Sequence, residues 1–248
     1  MPSCWAARLG GCSQKISREH LVSESLFSEL VDVQGFPWCK DKPTRIGLSG
    51  LTAKIFCVKH NNDLSPIDTI GGKAFETLQE VTRLSNVREK KKQVWTVKKY
   101  RIDGKGLERW FLKTLINLCC DRSHAIGRDS VELGQASDRL VRMAYGLEPF
   151  TRKAGLYSVA HVGMNISSSD VVQFAPIFKN NLNVEAGFFV FRGWNFLLFL
   201  EDDGPTQLLS CVYINGINLG QVELSHHPGR FNFRLGHSLS HSVLFDWR

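Results

Sequence analysis

The placement of cysteine and histidine near the beginning constrains this chain more than any other feature. Residues 1–70 set Cys, Gly and Pro close together around only short periodic pieces. Such a stretch buries little apolar surface by itself, and a bound metal ion is the obvious substitute for a core. Cys57-Val-Lys-His60 has knuckle spacing, in which both donors reach one ion at zinc bond lengths. Cys4 and Cys12 offer two further ligands across a gap wider than usual. Together the four make a closed, structural Cys3His set whose bonds stand in for packing energy. The competing reading is a group of ordinary buried thiols with a surface histidine. Cys39 is the rival for a ligand position, although Pro37, Trp38 and Lys40 around it suggest a loop or packing role.

Composition frames that cluster. The chain has 248 residues, 43% hydrophobic and 22% charged, enough to bury a sizeable core and to exclude disorder or a fibre as a description of the whole. No apolar run approaches the roughly 18 residues that span a bilayer. Arg192, Gly193 and Asn195 interrupt the longest candidate, 187–200. The opening Met-Pro-Ser-Cys-Trp-Ala-Ala-Arg lacks a signal-peptide pattern, so the expectation is a soluble cytoplasmic protein with no membrane partner. Seven scattered cysteines do not read as a disulfide framework, which fits a reducing compartment. Residues 1–125 carry 21 Lys and Arg against 13 Asp and Glu, whereas residues 126–248 carry 10 against 11. All the excess positive charge thus belongs to the first half, as expected of a polyanion-binding module joined to a neutral partner domain.

Periodicity outlines the elements. Leu21, Val22, Leu26, Phe27, Leu30 and Val31 follow Ser17-Arg-Glu-His20 with the spacing of a short helix, ended by Gly35-Phe-Pro-Trp38. A longer helix is expected over Gly72–Gln93, with Phe75, Leu78, Val81, Leu84 and Val87 every three residues and Arg88-Glu-Lys-Lys-Lys92 at its end. Val94–Ile102 reads as a strand, and Leu107–Leu118 and Ser130–Tyr145 as helices. Beyond Pro149, Leu156–Met164, Ala186–Arg192, Trp194–Leu200, Gln207–Ile214, Leu219–Leu224 and Arg230–Leu235 read as short antiparallel strands between turn signals.

The order of the N-terminal residues says more than any one of them. Cys, Cys, Glu-His and then Cys-x-x-His-Asn occur in Lys15-Ile-Ser-Arg-Glu-His-Leu-Val22 and Leu51-Thr-Ala-Lys-Ile-Phe-Cys-Val-Lys-His-Asn-Asn-Asp-Leu-Ser-Pro-Ile-Asp68. This resembles the HNH (His-Me finger) nuclease motif over residues 1–70. The first Cys pair is stretched, His60 stands where many relatives have Cys, and Glu19 where many have Asp. The resemblance implies an N-terminal ββα-metal, treble-clef-like unit, placed over 1–93; with the periodicity above, the expected chain is α+β, with a helical connecting region over 94–149 and a C-terminal antiparallel β-rich domain over 150–248. The resemblance further implies His20 as general base, Glu19 and Asn61 as holders of a catalytic Mg2+ or Mn2+, and Cys4, Cys12, Cys57 and His60 as structural Zn2+ ligands. The implied activity is endonucleolytic hydrolysis of nucleic acid, DNA rather than RNA, in a setting such as phage defence or restriction. Lys15, Arg18, Lys54 and Lys59 flank the site and suit backbone phosphates.

Each piece also has a plainer reading. Ser17, Glu19 and His20 suit a helix cap, Asn61-Asn62-Asp63 a turn, and Ser65-Pro66-Ile67-Asp68 a helix start whose Asp68 serves the dipole or adds a carboxylate near the metal. The rival as a whole is a non-catalytic zinc-stabilised module that binds nucleic acid or protein. The neutral, aromatic C-terminal region suits a protein partner or a second copy of the chain. His226, His227, His237 and His241 are turn and strand-edge histidines or a second metal set. The chain contains neither a phosphate-cradling Gly-Lys-Ser/Thr loop nor a Gly-x-Ser-x-Gly elbow.

Overall fold

The computed structural model describes residues 4–26, 30–34, 39, 42–90, 97–120, 124–130, 132–151, 153–160, 171–179, 183–191, 193–205, 213–214, 217–218, 222–235 and 239–248. Its first unit is a pair of antiparallel strands, β1 (Ile16–His20) and β4 (Thr52–Cys57), with a bulge between Ser17 and Glu19. Between them lie β2 (Leu30–Gln34) and β3 (Thr44–Gly47). The segment expected to be a helix from Ser17 is therefore strand, one 3-10 turn at Glu24–Leu26 and strand again. Pairing of Glu19 with Ala53 and of His20 with Thr52 overrides the local helical spacing.

Helix α1 (Val58–Lys90) follows β4 without a loop and starts well ahead of the expected Gly72. Its first N–H groups are satisfied from outside the helix: Val58 donates to Lys15 O, Lys59 to Ser13 Oγ and His60 to Cys57 Sγ. Gly71-Gly72 looks like a break in the sequence, yet it lies inside the helix. A Cβ on Gly71 would stand 2.6 Å from the Trp110 ring, so this glycine lets two helices meet closely. Lys91, Lys92 and the strand start at Val94 lie outside the described residues.

Strand β5 (Lys99–Asp103) leads into α2 (Gly104–Cys119), capped by Asp103, which accepts from Gly106 N–H at 2.8 Å. After β6 (Ala125–Ile126), the expected Ser130–Tyr145 helix shrinks to α3 (Asp138–Ala144), which starts at the Ser137 cap. The C-terminal strands are β7 (Gly155–Ala160), β8 (Val171–Lys179), β9 (Asn183–Phe191), β10 (Trp194–Phe199), β11 (Tyr213–Ile214), β12 (Ile217–Asn218), β13 (Glu223–His226), β14 (Arg230–Leu235) and β15 (Leu239–Asp246).

The chain is thus an α+β protein with a helical middle and a β-rich C-terminal region. Among the described residues every pair of C-terminal strands is antiparallel, as expected, and the sheets become mixed only where strands from earlier in the chain join them. The largest runs β13-β7-β10-β9-β8-β2-β3 with β6 beside β9, and its β2–β8 and β6–β9 pairs are parallel. A smaller sheet, β14-β15-β5, contains a parallel β15–β5 pair. Pro176 in β8 lies past the end of β2's pairing, where the missing N–H costs no bond on that side. One hydrophobic cluster extends from Cys4 and Trp5 through α1 and α2 to Val243 and Phe245. A second, built on Tyr157, Phe188, Leu197 and Phe199, lies apart from it. Among the described residues no helix is long and apolar enough to cross a membrane.

A buried carboxylate ties α2 to the C-terminal strands. Glu108 Oε1 accepts from Leu156 N–H at 2.8 Å and lies 2.8 Å from His227 Nε2. His227, at φ 44°, is a left-handed non-glycine residue and stacks between His226 and Trp247. Gly155, at φ 124°, makes room: a Cβ there would stand 2.3 Å from Glu108 Oε1. Gly155→Ala is therefore expected to destabilise the protein by about 3 kcal/mol, read as a thermal midpoint lowered by roughly 6–12 °C.

Candidate metal centre and the adjoining cleft

Three pieces of chain deliver four metal-binding side chains to one point. Trp5 N–H donates to Ile55 O at 3.1 Å, fastening the N-terminal segment alongside β4, and the Trp5 ring packs on Phe56. Gly10 and Gly11, at φ 77° and 66°, turn the chain so that Cys12 comes back toward Cys4. Cys57 ends β4, and His60 lies in the first turn of α1.

The Sγ atoms of Cys4, Cys12 and Cys57 lie 3.3, 3.4 and 3.3 Å from His60 Nδ1. All four donor atoms lie within 4.8 Å of one another. Tetrahedral zinc at ordinary bond lengths needs S···N edges of about 3.5 Å, so the set fits a Zn2+ ion bound through Nδ1. Tyr145 supports the imidazole edge-on and donates its hydroxyl to His60 O at 3.0 Å. Cys39 donates instead to Val33 O and stands outside the cluster, so the rival ligand is excluded.

The electrostatics suit a cation. Burial pushes the Cys4 thiol up to about 12. Burial and the hydrogen bond with Cys57 raise Cys12, which is otherwise exposed. Burial also acts to raise Cys57, but hydrogen bonds from His60 and Ser13 outweigh it and hold this thiol down at about 6. Three sulfurs packed this closely ionise together only with a positive ion among them.

At the other end of β1 from the Ile16–Cys57 pair opens a cleft of about 240 Å³ lined by Glu19, His20, Ser23, Glu24, Asp68 and Thr69. His20 Nδ1 lies 4.0 Å from Glu24 Oε2. Glu19 is buried and takes a hydrogen bond from the Asn61 side chain, which adjoins the cleft through that contact rather than lining it. Burial raises the Glu19 carboxyl, with Lys113 and Asn61 opposing the shift. Asp68 lies well inside α1 rather than at its start, and it faces the same point.

Lys113 is a site residue that the sequence reading missed. Its Nζ lies 2.7 Å from Glu19 Oε1 and 2.6 Å from Asp68 Oδ2. Ser23 Oγ donates to Asp68 Oδ1 and accepts from Trp110 Nε1 at 2.7 Å. A lysine inside the apolar run Trp110-Phe-Leu-Lys-Thr-Leu-Ile116 was the available signal, since a charge amid buried neighbours needs partners.

The other expected residues sort as follows. Lys15, Arg18, Lys54 and Lys59 are all exposed. Arg18 sits at the bulge, facing the Lys54-Ile55 step of β4, while Lys59 pairs with Asp63 at 3.2 Å. His226 and His227 stack face to face, and His241 Nδ1 accepts from Lys98 N–H; these three do not gather around one ion. His237 lies outside the described residues. Compared with protein-family models, with curated proteins and with solved structures, the chain matches none.

Elemental analysis of purified protein is expected to give one zinc per chain, and Cys57→Ser to lose it. A serine hydroxyl can still accept from the His60 N–H, so it is loss of the ion that should make the hairpin and the start of α1 protease-sensitive in the variant.

Proposed function

We propose that the cleft beside the Cys3His cluster hydrolyses phosphodiester bonds of nucleic acid, DNA in the first instance, in the manner of an HNH endonuclease. The observation that carries this reading is an adjacency: the strand bearing Glu19 and His20 pairs with the strand that ends in the ligand Cys57, and the helical turn bearing Asn61 carries the ligand His60. Asn61 follows the ligand His60, so an ion in that cluster fixes where its amide reaches Glu19.

In the proposed reaction, neutral His20 takes a proton from a water in the cleft as the water oxygen bonds to phosphorus. The P–O3′ bond breaks, and the departing oxygen is protonated from solvent. Exposed Lys15, Arg18, Lys54 and Lys59 hold neighbouring phosphates through charge without reading bases. Oxygen atoms of Glu19 and Asn61 are the donor type of a hard divalent ion, with Asp68 as a third. Such an ion, Mg2+ or Mn2+, supplies charge neutralisation at the scissile phosphate when bound. Phage defence or restriction is the setting that goes with this activity, and the neutral C-terminal region is the part suited to a protein partner or a second copy.

A second reading has its own support. The contact between Glu19 and buried Lys113 is what a purely structural ion-pair network would show, as in a non-catalytic zinc-stabilised binding module. Supercoiled plasmid incubated with zinc-loaded protein and Mg2+ or Mn2+ separates the two. His20→Ala is expected to lower the nicking rate by at least about a hundredfold, with zinc content and thermal midpoint unchanged. Wild-type protein that leaves the plasmid intact under both ions favours the binding module.

A further inference from the structure

Lys113 is 2% exposed, yet it carries a full charge into the wall of the cleft. Its ammonium lies between two carboxylate oxygens, 2.7 Å from Glu19 Oε1 and 2.6 Å from Asp68 Oδ2, the second as a hydrogen bond. The remaining capacity of those carboxylates is also used: Asn61 donates to Glu19 and Ser23 to Asp68. Without the lysine, two acids from β1 and α1 would face each other in a half-buried wall. With it, the cluster keeps a single net negative charge.

We propose that Lys113 is a built-in competitor for the divalent ion, holding Glu19 and Asp68 while the cleft is ion-free and setting how tightly the cleft takes up a hard cation. This rests on the reading of the cleft as the site of such an ion. An ion reaching Glu19 or Asp68 meets a fixed positive charge a few ångström away, attached to a side chain that burial prevents from swinging out. At the screening typical of protein sites, that repulsion lowers affinity roughly tenfold or more. The lysine touches the carboxylates and not the phosphate, so it is a positioning residue. Its effect falls on ion occupancy before any chemistry.

The test is Mn2+ binding to zinc-loaded full-length protein, followed by electron paramagnetic resonance and by broadening of the His20 ring signals in NMR. Lys113→Gln is expected to bind one Mn2+ at least about tenfold more tightly than wild type, with His20 broadened at lower Mn2+. Lys113→Arg, which keeps the charge, should show no gain. Because loss of the lysine endangers folding, the same comparison is made between Asp68→Asn and Asp68→Asn/Lys113→Gln; the double variant restores the cluster's net charge, and the same tightening is expected. Equal Mn2+ affinity with and without the lysine overturns the competitor role. Absence of His20 broadening in every variant overturns it together with the cation reading of the cleft. Tightened Mn2+ binding in a protein that nicks no plasmid upholds the role of Lys113 and sinks the nuclease reading alone.

Discussion

Four donor atoms from the segments around Cys4, Cys12 and Cys57–His60 converge on one point near the beginning of this protein, where one metal ion would tie those segments together. A two-stranded ribbon such as β1–β4 is marginal in water by itself, and here Trp5, Leu51 and Phe56 also tie it into the main core. The cluster closes the loops on both sides of β1 and fixes the junction where β4 becomes α1. It also contributes to the start of the helix, because Cys57 Sγ is both a cluster atom and the acceptor of the His60 N–H. Metal affinity and helix initiation are therefore coupled through one sulfur. An ion that draws Cys57 into a thiolate makes it a better acceptor for that N–H, and the cap in turn favours the thiolate.

A second tie, of opposite chemical character, joins the same ribbon to α2. The Lys113 ammonium reaches across to Glu19 on β1 and Asp68 on α1, and Trp110 and Ser23 complete the network. Such a cluster is costly to desolvate and is stable only when every member is satisfied. Here each carboxylate has partners for both its charge and its hydrogen bonds, which is why a full positive charge persists inside an otherwise apolar helix face. The Glu108–His227 pair repeats the device on another part of α2, where it accepts a strained histidine and requires a glycine opposite. Helix α2 thus works as a central post with polar anchors on different sides.

The cluster was legible in part because Cys-x-x-His spacing states its purpose within four residues, whereas Cys4 and Cys12 lie far upstream and were legible only as a further pair of soft ligands. Helix α2 and strands β10 and β14 were legible for the same reason, each carrying its period in its own residues. What the sequence hid depends on partners far along the chain. Strand β1 looks helical until β4 pairs with it. The early start of α1 is set by Lys15 O and Ser13 Oγ, and Gly71 reads as a stop although it is a contact. Strands β8 and β15 carry Pro176 and alternating serines that locally argue against strand, and only their neighbours in the sheet overrule that. Lys113 is the clearest case, since its meaning lies wholly in two acids upstream.

The two ties also divide labour by the hardness of their donors. Sulfur and imidazole select a borderline ion such as zinc and hold it in a closed shell with no position left for substrate. The oxygens of Glu19 and Asp68, which line a cleft that solvent enters, and of Asn61 beside it are of the type that suits a hard ion with open positions. Backbone adjacency links the two sets, through His60 and Asn61 on one side and along β1 on the other. Rigidity can therefore pass from the closed site to the open one without the ions sharing a ligand. On the proposed reading the closed site keeps its structural metal while the open site fills and empties, and the charge on Lys113 acts on that second equilibrium without touching the first.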